Sequence, residues 1–145
     1  MTEPTTKGVK RKGERMKFVA QKYNSQCFPI ALKNCAVYLN KKLNLYEYIR
    51  FCGCNKGRAL NTEMAVLKSG LPLEKTDKIE DVFEHGGIIT IMHPIFNLHS
   101  VFCFPKDNKI ILVNSWLGSN ELPLEKEEIM RWIAKPPNNR MLAIW

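Results

Sequence analysis

A chain of 145 residues can bury one sizeable core, and no break in composition divides it, so one globular domain is expected. With 45% apolar and 25% charged residues it is neither disordered nor fibrous. No apolar run approaches the roughly 18–20 residues of a membrane span, and no apolar signal core opens the chain. Five cysteines at irregular spacings fit reduced thiols and a cytoplasmic setting better than a disulfide framework, and the net charge of +8 suits an anionic partner.

Residues 1–15 are polar and basic, with too little apolar surface to offset the entropy of ordering, and read as a flexible arm ahead of a domain at 16–145. Lys7, Lys10, Arg11, Lys12 and Arg15 would let the arm engage nucleic acid or another anionic surface, or serve as a solvated tail. No aromatic residue is interleaved with them, so base stacking is not supported. Residues 16–20 read as a short strand or extended lead. Gln21 and Gln26, before and at the end of the next loop, both offer an amide donor to an oxygen near residue 27.

A helix is expected over 28–39, with Pro29 tolerated in its first turn, where the N–H has no intrahelical partner. Cys27 then stands at the helix start. The dipole and unpaired N–H groups there should lower its thiol pKa and make it a nucleophile. Apolar residues cover most of this helix, Cys35 among them as a small hydrophobe, so the helix should be central. A second helix follows at 43–51. Cys52 and Cys54 are one residue apart, closer than the spacers of structural zinc sites, so neither a metal nor any other cofactor is expected. Asn61 or Thr62 caps a third helix that Gly70 ends, and a fourth opens at Thr76 or Asp77 and closes at His85-Gly86-Gly87.

Residues 88–92 form a β-branched strand. The loop 93–98 should overhang the thiol, with His93 and Phe96 as substrate contacts. Apolar runs at 99–104 and 109–114 flank turn-forming residues 105–108 and read as a hairpin. Pairing Phe104 with Lys109 sets His99 opposite Asn114, with about 5 Å between their Cβ atoms. The asparagine then orients one imidazole nitrogen and leaves the other for Cys27, as an orienter, base and nucleophile require. His93 and His85 are the competing bases. Trp116 would cover the His99–Asn114 hydrogen bond. A last helix at 123–134, a turn at 136–139 and a strand at 140–145 in the same sheet complete the chain.

Gln21, Cys27 six residues later at a helix start, His99 on a strand and Asn114-Ser115-Trp116 together resemble the papain-like cysteine peptidases. The compact length is most similar to the bacteriocin-processing, double-glycine-type peptidase domains and their stand-alone relatives. Two departures stand out. Phe28 occupies a position where those families usually show Gly or Trp, and Asn114 one where the bacteriocin-type domains usually carry Asp. The resemblance implies an α+β fold, a helical bundle packed on an antiparallel sheet of about four to six strands. It implies that Gln21, rather than Gln26, joins the Cys27 N–H in an oxyanion hole, and that Phe28, His93, Phe96 and Trp116 border the substrate groove. The expected activity is hydrolysis of peptide or isopeptide bonds through a Cys-His-Asn triad and a thioester acyl-enzyme, on a protein or peptide substrate. The alternatives are acyl transfer by the same triad, as in transglutaminase-like enzymes, and a non-enzymatic binding or assembly module whose basic arm contacts nucleic acid.

Overall fold

The computed structural model describes residues 17–20, 26–53, 61–93, 97–113, 121–135 and 140–145. In chain order the elements are α1 (Cys27–Tyr38), α2 (Leu45–Phe51), α3 (Thr62–Ser69), β1 (Leu73–Thr76), α4 (Ile79–His85), β2 (Gly87–His93), β3 (Asn97–Lys106), β4 (Lys109–Val113), β5 (Glu121–Leu124), α5 (Lys126–Trp132) and β6 (Met141–Ile144). Among the described residues, six strands make one antiparallel sheet in the order β1-β6-β2-β3-β4-β5, within the expected size range.

Each face of the sheet carries its own core because side chains alternate along a strand. On one face Ile88, Phe102, Phe104 and Val113 meet α1 through Phe28, Ala31, Leu32 and Cys35. On the other, Ile89, Ile91, Val101, Cys103 and Leu112 meet Val82 and Phe83 of α4 and Ile129 of α5. Tyr38, at the far end of α1, packs on Phe104 with ring centroids 4.8 Å apart and on Phe102 at 5.3 Å, and Phe18 joins them at 5.8 and 6.2 Å. Such aromatic pairs contribute about 0.5–1.5 kcal/mol each beyond the burial itself. They clamp the C-terminal end of α1 to the middle of β3, which leaves its N-terminal tip at the beginning of that strand.

Local chemistry sets most boundaries. The Asn44 side chain accepts a hydrogen bond from the Glu47 N–H and starts α2, and Gly70, at φ 69°, ends α3 in the left-handed conformation. Several expectations need correction. Residues 73–76, for which no element was expected, form β1, and Thr76 does not open a helix. There the Thr76 hydroxyl accepts from the Lys78 N–H and donates to Asp81, which delays α4 to Ile79. The stretch expected as one helix from 123 is β5 followed by α5. A reciprocal capping box of Glu125 and Glu128 starts that helix, and Pro123, which cannot donate to a ladder, lies on the sheet edge. Residues 17–20 are extended but pair with no strand.

The hairpin register also differs. Its turn is the two-residue Asp107-Asn108, with φ of 53° and 67°, so Lys106 pairs with Lys109 and Phe102 with Val113. The ladder is thus offset by two residues from the expected one. An even offset leaves every β4 side chain on its expected face, whereas an odd one would have reversed them all. The direct opposition of His99 and Asn114 no longer follows.

Candidate active site

α1 presents Cys27 as its first residue, with the thiol partly exposed. The residue placed against that sulfur is Ser100 of β3, through both its backbone N–H and its hydroxyl. The N–H groups of Phe28 and of Cys27 itself also favour the thiolate. Burial nevertheless dominates and pushes the thiol above its ordinary value of 9.0. The lowering expected from the helix start is therefore reversed. The donors are present, as that expectation required, but desolvation under the β2–β3 ribbon outweighs them.

His99 follows the same rule of alternation. It pairs across the ribbon with Ile91 and is only 2% exposed. Its position falls with Val101 and Cys103, while Ser100 falls with Phe102 and Phe104 on the α1 face. The fold thus brings the His99 segment to Cys27, with Ser100, the residue next to it, against the sulfur. Among the described residues β4 accompanies β3 only from Phe102 to Lys106, so the stretch at His99 has no described strand on that side.

Gln21, Phe96, Asn114 and Trp116 lie outside the described residues, as do the basic arm and Cys54. His93 ends β2 opposite Asn97, and its side chain also falls outside them. His85 ends α4 and packs on Trp145, with ring centroids 5.5 Å apart, on the α4 side of the sheet. Phe28 is 7% exposed and belongs to the core cluster beneath α1. Cys52 is fully buried beside α2, and no group of metal-ligating side chains occurs among the described residues.

Two residues were not singled out in the sequence. Ser100 was signalled by Phe102 and Phe104, whose bulk on even-numbered positions marks the face that a central helix covers. Asn34 was signalled by a polar amide in the middle of an otherwise apolar helix face. It is wholly buried and binds the entering chain: the Val19 N–H donates to its Oδ1 at 2.7 Å, and its Nδ2 donates to the Val19 carbonyl at 3.2 Å. Beyond the site, Met92 and Leu98 form a cross-strand pair on the Ser100 face, 46% and 41% exposed, and leave apolar surface next to Cys27.

No family model and no curated protein matches the chain. Its fold does recur in solved structures. The peptidase domain of Streptococcus ComA, a bi-functional ABC transporter involved in a quorum-sensing pathway, matches with a TM-score of 0.70 at 15% identity, over 90% of this chain and 100% of that one. A double-glycine-motif protease from an AMS/PCAT transporter, solved with its leader peptide, matches with a TM-score of 0.66 at 17% identity, over 92% of this chain and 96% of that one. Among the described residues, five helices pack with a six-stranded antiparallel sheet in an α+β fold that these two peptidase domains share.

Proposed function

We propose that this protein is a cysteine peptidase acting on peptide substrates, with Cys27 as nucleophile, His99 as general base and acid, Asn114 as its orienter and Gln21 as oxyanion donor. The observation that carries the reading is a partly exposed thiol at the tip of the central helix. Hydrogen-bond donors of Ser100, Phe28 and Cys27 surround it, in a fold shared with peptidase domains. The imidazole takes the thiol proton as sulfur attacks the carbonyl carbon. The oxyanion is held by Gln21 and the Cys27 N–H, the C–N bond breaks, and the leaving amine takes the proton from His99. Water, deprotonated by the same imidazole, then releases the acyl group from sulfur. One structural relative holds a leader peptide, and a peptide is the substrate class that suits this site as well.

A second reading, a papain-like binding module without catalysis, is favoured by one observation, the strand parity that puts His99 with Ile91. Acyl transfer to an amine would use the same groups and differ only in the acceptor. Profiling with a peptide library, comparing the native chain with Cys27→Ala and His99→Ala, decides among them. The peptidase reading expects cleavage that both substitutions abolish and that His93→Ala spares. It also expects His99→Ala to slow iodoacetamide alkylation of Cys27, because burial holds the thiol above its ordinary value and the base must assist its ionisation. Equal alkylation rates in the native and His99→Ala chains and no Cys27-dependent cleavage would leave the binding module.

A further inference from the structure

We propose that the outer face of α2 and α3 is a docking surface for an anionic lipid bilayer, on which the protein lies peripherally. The inference is independent of the peptidase reading and rests on how charged and apolar side chains are divided over the molecule.

Residues 27–70, which supply α1, α2 and α3 on one face of the sheet, hold a surplus of Lys and Arg, whereas residues 71–145 hold more acidic than basic residues. The acids of that first half are Glu47 and Glu63, and a lysine neutralises each: Lys68 at 3.1 Å and Lys75 at 2.7 Å. Lys41, Lys42 and Arg50 are exposed and meet no carboxylate among the described residues. The Glu47–Lys68 pair joins the first turn of α2 to the last turn of α3. At the other end the Asn61 amide donates to the Phe51 carbonyl at 3.2 Å, so the two helices lie antiparallel.

Tyr48 and Ala65 anchor this helix pair in the core, while Tyr46, Met64 and Leu67 stand 76%, 56% and 73% exposed. Met64 and Leu67 are three apart and neighbours on α3, and Tyr46 and Leu67 each adjoin a member of the Glu47–Lys68 pair. Arg50 follows Tyr46 by four residues and Lys68 follows Met64 by four, so a cation lies beside each of those apolar side chains. Single exposed apolar residues are ordinary; three gathered on one helix pair with cations between them form a patch. Apolar groups that enter the acyl boundary, with cations held at the headgroups, are what a bilayer interface selects. A nucleic acid would leave Met64 and Leu67 without a partner, and a protein of mixed charge would ask for acids that this face has already paired. The chemistry therefore favours a uniformly anionic, apolar-cored surface.

The test sediments the full chain with vesicles of phosphatidylcholine alone or mixed with phosphatidylglycerol in about equal parts. The native chain should bind the mixed vesicles at least about tenfold tighter than the neutral ones. Met64→Gln/Leu67→Gln should weaken that binding about tenfold through lost insertion, and Arg50→Gln about fivefold through lost charge, with circular dichroism unchanged because all three side chains lie on the surface. Tyr46→Trp gives a reading that does not depend on affinity: its added emission should shift to the blue on mixed vesicles and be quenched by brominated acyl chains. No binding to mixed vesicles, native affinity in Met64→Gln/Leu67→Gln, or an indole at position 46 that vesicles neither shift nor quench would overturn the docking face. Binding lost only in Lys10→Gln/Arg11→Gln/Lys12→Gln would overturn it in favour of the N-terminal arm. Tighter binding to a single-stranded oligonucleotide, weakened by Arg50→Gln and untouched by Met64→Gln/Leu67→Gln, would overturn it in favour of nucleic acid.

Discussion

Ser100 meets the Cys27 sulfur with both its backbone N–H and its hydroxyl, at the strand position next to His99. The contact stabilises a thiolate at a place where burial opposes one. Ser100→Ala removes the hydroxyl and keeps the backbone donor, so burial should gain further. The midpoint of the pH dependence of Cys27 alkylation should move to higher pH, with the fold intact by circular dichroism. An unchanged or lowered midpoint would show that the hydroxyl does not support the sulfur.

Alkaline stability should fall steeply. Burial raises the thiols of Cys35 and Cys103 from 9.0 to about 12, the latter helped by its proximity to Cys35. Near pH 8 neither the folded nor the unfolded chain ionises them. As pH rises through 9 the unfolded chain releases these protons and the folded one retains them, so stability is lost progressively up to about pH 12, where the folded thiols also ionise. The limit is roughly 4 kcal/mol for each thiol. Urea unfolding at a series of pH values measures the slope, and Cys103→Ala should make it shallower. A slope that Cys103→Ala leaves unchanged would assign the alkaline loss to other groups.

Gly87 is where β2 pairs with β3 and β6 at once, opposite Cys103 on one side and Ala143 on the other. A Cβ there would run into the Leu142 carbonyl oxygen and come within 3.0 Å of the Ala143 Cα, both backbone atoms with little room to move. Gly87→Ala should cost about 3 kcal/mol, the upper end for overpacking. Thermal unfolding checks this, and a loss below about 1 kcal/mol would mean that β6 does not close on β2 as described.

The Asp107-Asn108 turn needs positive φ at both positions. Asn108→Gly should be neutral or stabilise by up to about 1 kcal/mol, and Asn108→Val should destabilise by about 1–2 kcal/mol. Equal stability of the two variants in urea would refute the two-residue turn and restore a longer loop, in which Lys109 pairs with Phe104.

Much of this architecture was legible along the chain because its causes are local. Apolar periodicity marks α1, Gly70 ends α3 where only a left-handed residue fits, and the β-branched run marks β2. Cys27 could be placed at a helix tip for the same reason. β1 and β5 were missed because four-residue strands carry little periodicity, and both exist only through their partners, β6 and β4.

The sequence by itself determined the place of Cys27 at the start of a central helix, the hairpin that follows His99 and the α+β class, since each depends on neighbours a few residues away. The tertiary structure decided which face of β3 the helix covers, and so that Ser100 meets the Cys27 sulfur. It decided that burial outweighs the helix tip in setting the Cys27 thiol, and that Asn34 ties Val19 to the same helix. Alternation defines two faces without saying which layer packs on which, and desolvation is a property of the assembled core, so neither can be read before the layers are in place.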